Sequence, residues 1–191
     1  EAHNLGLPRF EQLVVALNPT AICCSLKPHV VMYAFKNSSV DRVIYIDNDI
    51  GLYNQPQKML EQLKWHSFVL TPHLLSPLPL NQGDCQNELS LISFGTFNAG
   101  MFGTTKSSES ISFLKWWGNW VLDPRHMIIS YGYDQVWLNY VPVYCPNFFI
   151  LREKNYNVAY WNLIERELNQ RNGFFFCENE PLVAFHFSGF D

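Results

Sequence analysis

The chain has 191 residues, of which 48% are hydrophobic and 16% aromatic, and its formal net charge is −4. This composition predicts one globular domain, residues 1–191, with a large core, and it excludes a disordered chain. The negative charge and scattered basic residues argue against nucleic-acid binding, and no apolar stretch reaches the roughly 20 residues of a transmembrane segment.

The cysteines and the two ends of the chain give further expectations. The five cysteines form no C-x-x-C pair, and their odd number favours free thiols in a reducing compartment. The chain begins at Glu1 without an initiator methionine and ends at Asp191 directly after an apolar segment. We therefore expect it to be a piece of a longer protein.

The first half of the chain alternates predicted helices with short apolar runs. Residues 24–35 predict a helix with Pro28 near its first turn, and residues 57–65 predict a second helix. Residues 43–46 and 68–70 are apolar without polar alternation, which is typical of strands covered on both faces. Such strands are typical of the parallel sheets of α/β proteins.

The second half continues the same alternation. Residues 72–91 are rich in proline and predict a long surface loop, and residues 93–103 predict a strand with glycines at which a ligand can approach. Helices are predicted for residues 107–121 and 134–140, and a last strand for residues 182–187. The pattern predicts an α/β fold with a mainly parallel sheet flanked by helices.

Two carboxylates, Asp47 and Asp49, follow the predicted strand 43–46 with one residue between them. In open α/β sheets, ligands bind at the carboxyl ends of the strands. Mg²⁺ and Mn²⁺ prefer oxygen ligands and take their remaining ligands from water and phosphates. The pattern therefore indicates either a cation site or an ordinary turn, because Asp and Asn also favour turns.

Three other polar motifs lie in apolar surroundings. His186 ends the last predicted strand, where it is either a third metal ligand or a hydrogen-bonded core residue. The Asn98-Ala99-Gly100 segment lets a polar ligand come close to the backbone. Asp134 and Gln135 lie at the start of a predicted helix, where their side chains can bind hydroxyl groups of a ligand. The alternative for Asp134 is that it caps the helix.

Four motifs follow one another along the chain: D-x-D after an apolar strand, N-A-G in a glycine-rich strand, D-Q at a helix start and H-F-S-G near the end. This order resembles the nucleotide-sugar glycosyltransferases of the GT-A fold, and is closest to the retaining family 8 type. Seven stretches look like bacterial glycosyltransferases of surface-polysaccharide synthesis: LKPHVVMYAF, RVIYIDNDI, VLTPH, FNAGMFG, YDQVWLNYVP, YNVAYWNLIER and PLVAFHFSGFD.

The resemblance implies a role for each motif. Asp47 and Asp49 match the acids that hold Mn²⁺ or Mg²⁺ on the donor diphosphate, Asp47 also reaching the ribose, and His186 matches the third ligand. Lys27 matches a basic residue that can contact the diphosphate. The other matching positions are Asn98, Ala99, Gly100 and Gly189 on the donor-binding side, and Asp134 and Gln135 as the catalytic pair beside the anomeric carbon.

The resemblance also implies a Rossmann-like GT-A sheet and a nucleotide-diphosphate sugar donor, with UDP favoured. The acceptor would be a glycan or a lipid-linked molecule, and the protein would be cytoplasmic and able to associate peripherally with the membrane. The strand that holds the nucleotide base in this family has no counterpart here, so we expect it to precede Glu1. Asn157, Tyr160 and Asn162 look typical of the bacterial group but receive no role.

Two other classes of protein compete with this interpretation. A haloacid-dehalogenase-like phosphatase also places D-x-D after a strand, but Gly51 stands where Thr or Val is usual. A non-catalytic carbohydrate-binding module would use Trp116, Trp117 and Trp120 to stack on sugars. Their helical spacing is more typical of a core.

Overall fold

The computed structural model describes residues 5–8, 10–78, 85–129 and 133–189, with the side chains of 85–88 and 127–129 left aside. The fold is a mixed α/β architecture. Its helices are α1 (Phe10–Ala16), α2 (Pro19–Asn37), α3 (Gln57–Gln62), α4 (Cys85–Phe94), α5 (Ser108–Val121), α6 (Pro124–Ile129) and α7 (Val141–Tyr144).

The strands are short apart from β4. They are β1 (Arg42–Ile46), β2 (Ile50–Leu52), β3 (Phe68–Pro72), β4 (Phe97–Thr105), β5 (Phe148–Ile150), β6 (Leu168–Arg171), β7 (Phe174–Cys177), β8 (Glu180–Pro181) and β9 (Ala184–His186). Short 3₁₀ helices cover Gln135–Tyr140 and Tyr160–Asn162.

The central sheet has four strands in the order β1-β4-β3-β5. The predicted mainly parallel sheet is wrong, because β4 pairs antiparallel with both β1 and β3, and only β3 and β5 run parallel. The apolar runs of the sequence predict that both faces of a strand are covered. This coverage does not determine whether neighbouring strands run parallel or antiparallel. β4 is buried from Phe97 to Thr104 although both of its neighbours are antiparallel.

Alternate side chains of the central sheet enter two hydrophobic clusters. Phe68 and Phe102 face a cluster with Trp117 of α5 and residues of α2, whereas Val69 and Met101 face a second cluster with α3. The sheet is therefore a middle layer between helices, as its period of two requires. Burying each large side chain contributes about 1.5 to 3 kcal/mol.

The helix boundaries follow identifiable caps. α2 starts earlier than predicted because Asn18 Oδ1 accepts a hydrogen bond from Ala21 N at 2.8 Å, and Pro28 therefore lies inside the helix. The predicted cap of α5 is confirmed, since Ser107 Oγ accepts from Ser110 N at 3.1 Å. α3 ends at Gln62 and not at residue 65.

Four other predicted boundaries need correction. The surface loop predicted for residues 72–91 contains α4 from Cys85, and its residues 79–84 lie outside the described residues. β4 begins at Phe97 instead of residue 93, and the predicted helix 134–140 is a 3₁₀ helix. The last strand is shortened to Ala184–His186.

Two smaller sheets complete the described fold. β2 pairs antiparallel with β9, and β6, β7 and β8 form an antiparallel sheet that carries the exposed side chain of Phe174. Cys23, Cys24, Cys145 and Cys177 are free thiols, as predicted for these four. Within the described ranges, each helix is too short or too polar to cross a membrane.

Candidate functional site

The D-x-D segment leaves the central sheet directly beside Gly100 of β4. Asp47 N donates to Gly100 O at 2.8 Å, which extends the pairing of β1 with β4 by one residue. Ile50 N then donates to Asp47 O at 3.2 Å and closes a turn. The segment is thus a turn after a strand, and the same turn presents both carboxylates to one cleft.

His186 reaches these carboxylates through the pairing of β2 with β9. Ile50 is directly opposite His186 in this pair, so the residue after the D-x-D is fixed against the histidine. His186 Nε2 lies 3.2 Å from Asp49 Oδ1. One ligand atom from each of Asp47, Asp49 and His186 lies within 4.8 Å of the others.

Gly100 makes this convergence possible. A Cβ atom at residue 100 would lie 2.6 Å from His186 Cε1, 2.8 Å from Asn98 Oδ1 and 3.0 Å from Asp47 Oδ2. These separations are shorter than van der Waals contact, so any side chain here would displace the surrounding groups. Glycine is therefore required by space at this position.

Lys27 of α2 supplies the positive charge of the site. Its Nζ lies 2.8 Å from Asp47 Oδ2, 3.2 Å from Asp134 Oδ2 and 3.4 Å from Ala99 O. Burial lowers the pKa of Lys27, but the two carboxylates outweigh it and hold the pKa above its ordinary value. Lys27 is therefore charged and engaged with protein groups, and its contact with a diphosphate stays a prediction.

Asp134 precedes the 3₁₀ helix Gln135–Tyr140 and is almost fully buried. Its side chain makes no cap hydrogen bond, so the helix-cap alternative does not account for it. Burial raises the pKa of Asp134, and Lys27 opposes this by its charge. The ion pair with Lys27 keeps a carboxylate in the floor of the cleft.

Asn98 links Gln135 and His73. Its Oδ1 accepts from Gly100 N at 2.9 Å, so its Nδ2 is the atom that faces His73 Nε2 at 3.2 Å and Gln135 Oε1 at 3.4 Å. His73 Nδ1 lies 3.2 Å from Thr96 O and therefore carries the ring hydrogen. Burial lowers the pKa of His73 to about 4, so this histidine is neutral.

The side chains converge on a cleft of about 440 Å³. Among the described residues its charged lining consists of one ammonium and three carboxylates, namely Lys27, Asp47, Asp49 and Asp134, which leaves two negative charges in excess. Burial lowers the pKa of His186 although Asp49 and Asp47 oppose it, so His186 adds no charge at neutral pH.

The predicted site residues are not all placed in the same way. Asn98, Gly100, Asp134 and Gln135 line the cleft with the metal-ligating group. Ala99 turns its methyl group into the core and offers only its carbonyl to Lys27. Gly189 has a φ of +79° and lies beside Tyr160, next to the cleft residue Ser188.

Three residues around the site received no role from the sequence. Tyr45 OH donates to Asp47 Oδ1 at 2.9 Å, His73 contacts Asn98, and Asn157 Oδ1 lies 3.3 Å from His186 Nδ1. His73 belongs to the VLTPH stretch and Asn157 to the YNVAYWNLIER stretch. Neither pattern indicated a contact with Asn98 or His186.

The residues present fit a divalent cation. Two carboxylates and a neutral imidazole are donors that Mn²⁺ and Mg²⁺ accept, and the charge excess of the cleft matches a doubly positive ion. The space beside Gly100 keeps the three ligands close together. The same groups would otherwise leave unbalanced carboxylates in a partly enclosed cleft.

No known family model matches the chain. Two proteins of Bacillus subtilis (strain 168) are similar to it: the uncharacterized protein YfnF is 26% identical over 175 residues and the uncharacterized protein YfnD is 23% identical over 174 residues. Each alignment covers 88% of this chain, but 56% of YfnF and 53% of YfnD. The chain thus spans about half the length of the curated relatives it matches.

Proposed function

We propose that this chain is the donor-binding part of a divalent-cation-dependent glycosyltransferase with a GT-A-like fold. It would transfer a sugar from a nucleotide-diphosphate donor, with UDP favoured, to a glycan or lipid-linked acceptor in the cytoplasm or at the membrane surface. The observation that carries the proposal is the convergence of Asp47, Asp49 and His186 in one cleft with Asn98, Asp134 and Gln135.

The charge of the cleft supports a substrate that arrives with a cation. Three carboxylates repel a diphosphate, and one buried ammonium does not compensate for them. Asp47, Asp49 and His186 would hold Mn²⁺ or Mg²⁺. The bound ion supplies the positive charge that a diphosphate needs when it leaves the sugar.

The chain's own residues would bind and orient the sugar. Asn98 and Gln135 are neutral amides on one side of the cleft, suited to hydrogen bonds with sugar hydroxyls. Asp134 holds a carboxylate near them, where it favours the positive charge that develops on a sugar ring during transfer. Lys27 holds Asp47 and Asp134 at fixed positions through its two ion pairs.

The test is a panel of UDP-, GDP- and dTDP-sugars incubated with the full-length protein in Mn²⁺, Mg²⁺ or EDTA. We expect one donor class to bind and to release its nucleoside diphosphate only with a divalent ion. Asp49→Ala should abolish both effects because it removes a ligand of the ion.

The matched control is Asp41→Ala, which removes an exposed carboxylate paired with Arg42 at the far end of β1. This variant should behave like the parent chain. Donor binding that survives Asp49→Ala, or the absence of binding to any donor in Mn²⁺, would contradict the proposal. So would phosphate release from p-nitrophenyl phosphate that depends on Asp47.

A further inference from the structure

The orientation of His186 depends on the hydrogen bonds of its two ring nitrogens. Nε2 faces Asp49 Oδ1 at 3.2 Å, and Nδ1 faces Asn157 Oδ1 at 3.3 Å. A neutral imidazole carries hydrogen on only one nitrogen, and the other nitrogen binds a metal. Whichever group fixes the hydrogen on Nδ1 therefore decides whether Nε2 can act as a ligand.

The hydrogen bonds behind Asn157 settle which way its amide points. Thr71 Oγ1 lies 2.5 Å from Met101 O, and a carbonyl oxygen cannot donate, so the hydroxyl hydrogen points at Met101. Thr71 Oγ1 is then an acceptor for Asn157 Nδ2 at 3.4 Å. This places Asn157 Oδ1, an obligate acceptor, against His186 Nδ1.

The backbone around Asn157 is fixed as firmly as its side chain. Asn157 is fully buried with a φ of +48°, and its carbonyl accepts from Asn162 Nδ2 at 3.1 Å and from Arg166 Nη1 at 3.3 Å. The next residue, Val158, accepts from His186 N at 2.7 Å. Asn157 and the histidine are thus held in one register.

We propose that Asn157, oriented by Thr71, is a positioning residue that holds the hydrogen of His186 on Nδ1. This leaves the lone pair of Nε2 directed at the two carboxylates, where a divalent cation can use it. The cation belongs to the proposed function above, on which this inference rests. The tautomer itself is a property of the metal-free chain.

Without Asn157 the ring has a competing arrangement. A hydrogen on Nε2 would donate to Asp49 Oδ1, but the side chain of Asp49 is 42% exposed and solvent screens its charge, whereas Asn157 is fully buried. That hydrogen would block the ligand position. Asn157 therefore acts against the tautomer that Asp49 alone would select.

Long-range ¹H–¹⁵N correlation spectra of the metal-free, ¹⁵N-labelled chain at alkaline pH read the tautomer directly, with His186→Gln used to assign the signals. We expect Nδ1 to be protonated in the parent chain. Thr71→Val removes the acceptor that orients the amide, and Asn157→Gly removes the amide while tolerating the positive φ. Both variants should move the hydrogen toward Nε2, and Thr71→Ser should not.

A second measurement follows the cation by Mn²⁺ electron paramagnetic resonance. Loss of an outer hydrogen-bond partner typically weakens metal affinity about 10- to 100-fold. We expect this loss of Mn²⁺ affinity for Thr71→Val and Asn157→Gly. The conservative variant Thr71→Ser should keep the affinity of the parent chain.

The inference is overturned if the parent chain carries its hydrogen on Nε2, or if folded Thr71→Val keeps both the tautomer and the Mn²⁺ affinity. These outcomes are independent of sugar donors. A full-length protein that fails to bind any nucleotide sugar contradicts the proposed function, yet the His186 tautomer can still agree with this inference.

Discussion

The two walls of the cleft are held together by different forces. The acidic wall consists of the buried Lys27 and Asp134 and the partly buried Asp47, whose charges form ion pairs of 2.8 and 3.2 Å. The histidine wall consists of His73 and His186, whose neutral rings form hydrogen bonds with buried groups behind them, His73 with Thr96 O at 3.2 Å and His186 with Asn157 Oδ1 at 3.3 Å. Charge holds the first wall, and hydrogen-bond direction holds the second.

The difference determines what each wall can tolerate. Removing one member of a buried ion pair leaves an uncompensated charge, which is costly whatever the shape of the replacement. Replacing one member of a neutral network costs less energy but alters which atom faces the ligand. We therefore expect the acidic wall to control stability and the histidine wall to control ligand geometry.

Lys27→Met tests the acidic wall. It leaves Asp47 and Asp134 without the ammonium group that they share, and the free energy of unfolding should fall by about 3 to 5 kcal/mol. Chemical denaturation at neutral pH measures the change. The double variant with Asp134→Asn should recover part of the loss, because one of the two carboxylates is then neutral.

The matched control is Lys154→Met, which breaks an ion pair with Glu178 in which both side chains are more than 40% exposed. Surface pairs contribute about 0 to 1 kcal/mol, so little change is expected. Equal losses in the two variants would show that burial of the Lys27 pairs has no energetic consequence.

A change of pH tests the histidine wall. Burial lowers the pKa of His73 from 6.5 to about 4. The unfolded chain therefore binds this proton first as the pH falls, and stability is lost between about pH 6.5 and about pH 4, by roughly 3 kcal/mol. Above pH 6.5 this group contributes no pH dependence.

His73→Gln removes the titrating ring while keeping a polar side chain. Denaturation midpoints of the parent chain and the variant, compared across this pH window, isolate the contribution of His73. The parent should lose more stability than the variant on acidification. Parallel pH profiles would mean that the folded chain accepts a proton on His73 without cost, against the packing of its Nε2 on Asn98 Nδ2.

Gly100→Ala disturbs both walls at the point where they meet. The added Cβ would contact His186, Asn98 and Asp47, so we expect a stability loss of about 1 to 3 kcal/mol together with loss of Mn²⁺ affinity. Gly103→Ala is the control on the same strand, since its Cβ would meet only Leu63 among the nearest atoms. It should cost stability and leave Mn²⁺ affinity intact.

The sequence predicted the acidic carboxylates and His186 because each directly adjoins an apolar run. It could not show how they meet, since the pairing of Ile50 with His186 involves two three-residue strands far apart in the chain. The expectation that these side chains meet came from the resemblance of the motifs, in their order along the chain, to those of GT-A glycosyltransferases. The structure supports it by placing the three side chains together.

Other features escaped the sequence for physical reasons. The apolar runs predict that β1, β3 and β4 contribute to the core, but they do not predict that these strands pair antiparallel. The prolines of residues 72–79 concealed the helix that begins at Cys85. The role of Asn157 depends on Thr71, which lies 86 residues earlier, and no local pattern carries such a contact.

A titration of the metal-free chain with Mn²⁺, followed by electron paramagnetic resonance, tests the proposed cation site most directly. Asp47, Asp49 and His186 should bind a single ion per chain. Asp49→Ala should lose this ion, and Asp41→Ala should retain it with the parent affinity. Mn²⁺ binding that is absent from the parent chain, or that is unchanged in Asp49→Ala, would contradict a cation site in this cleft.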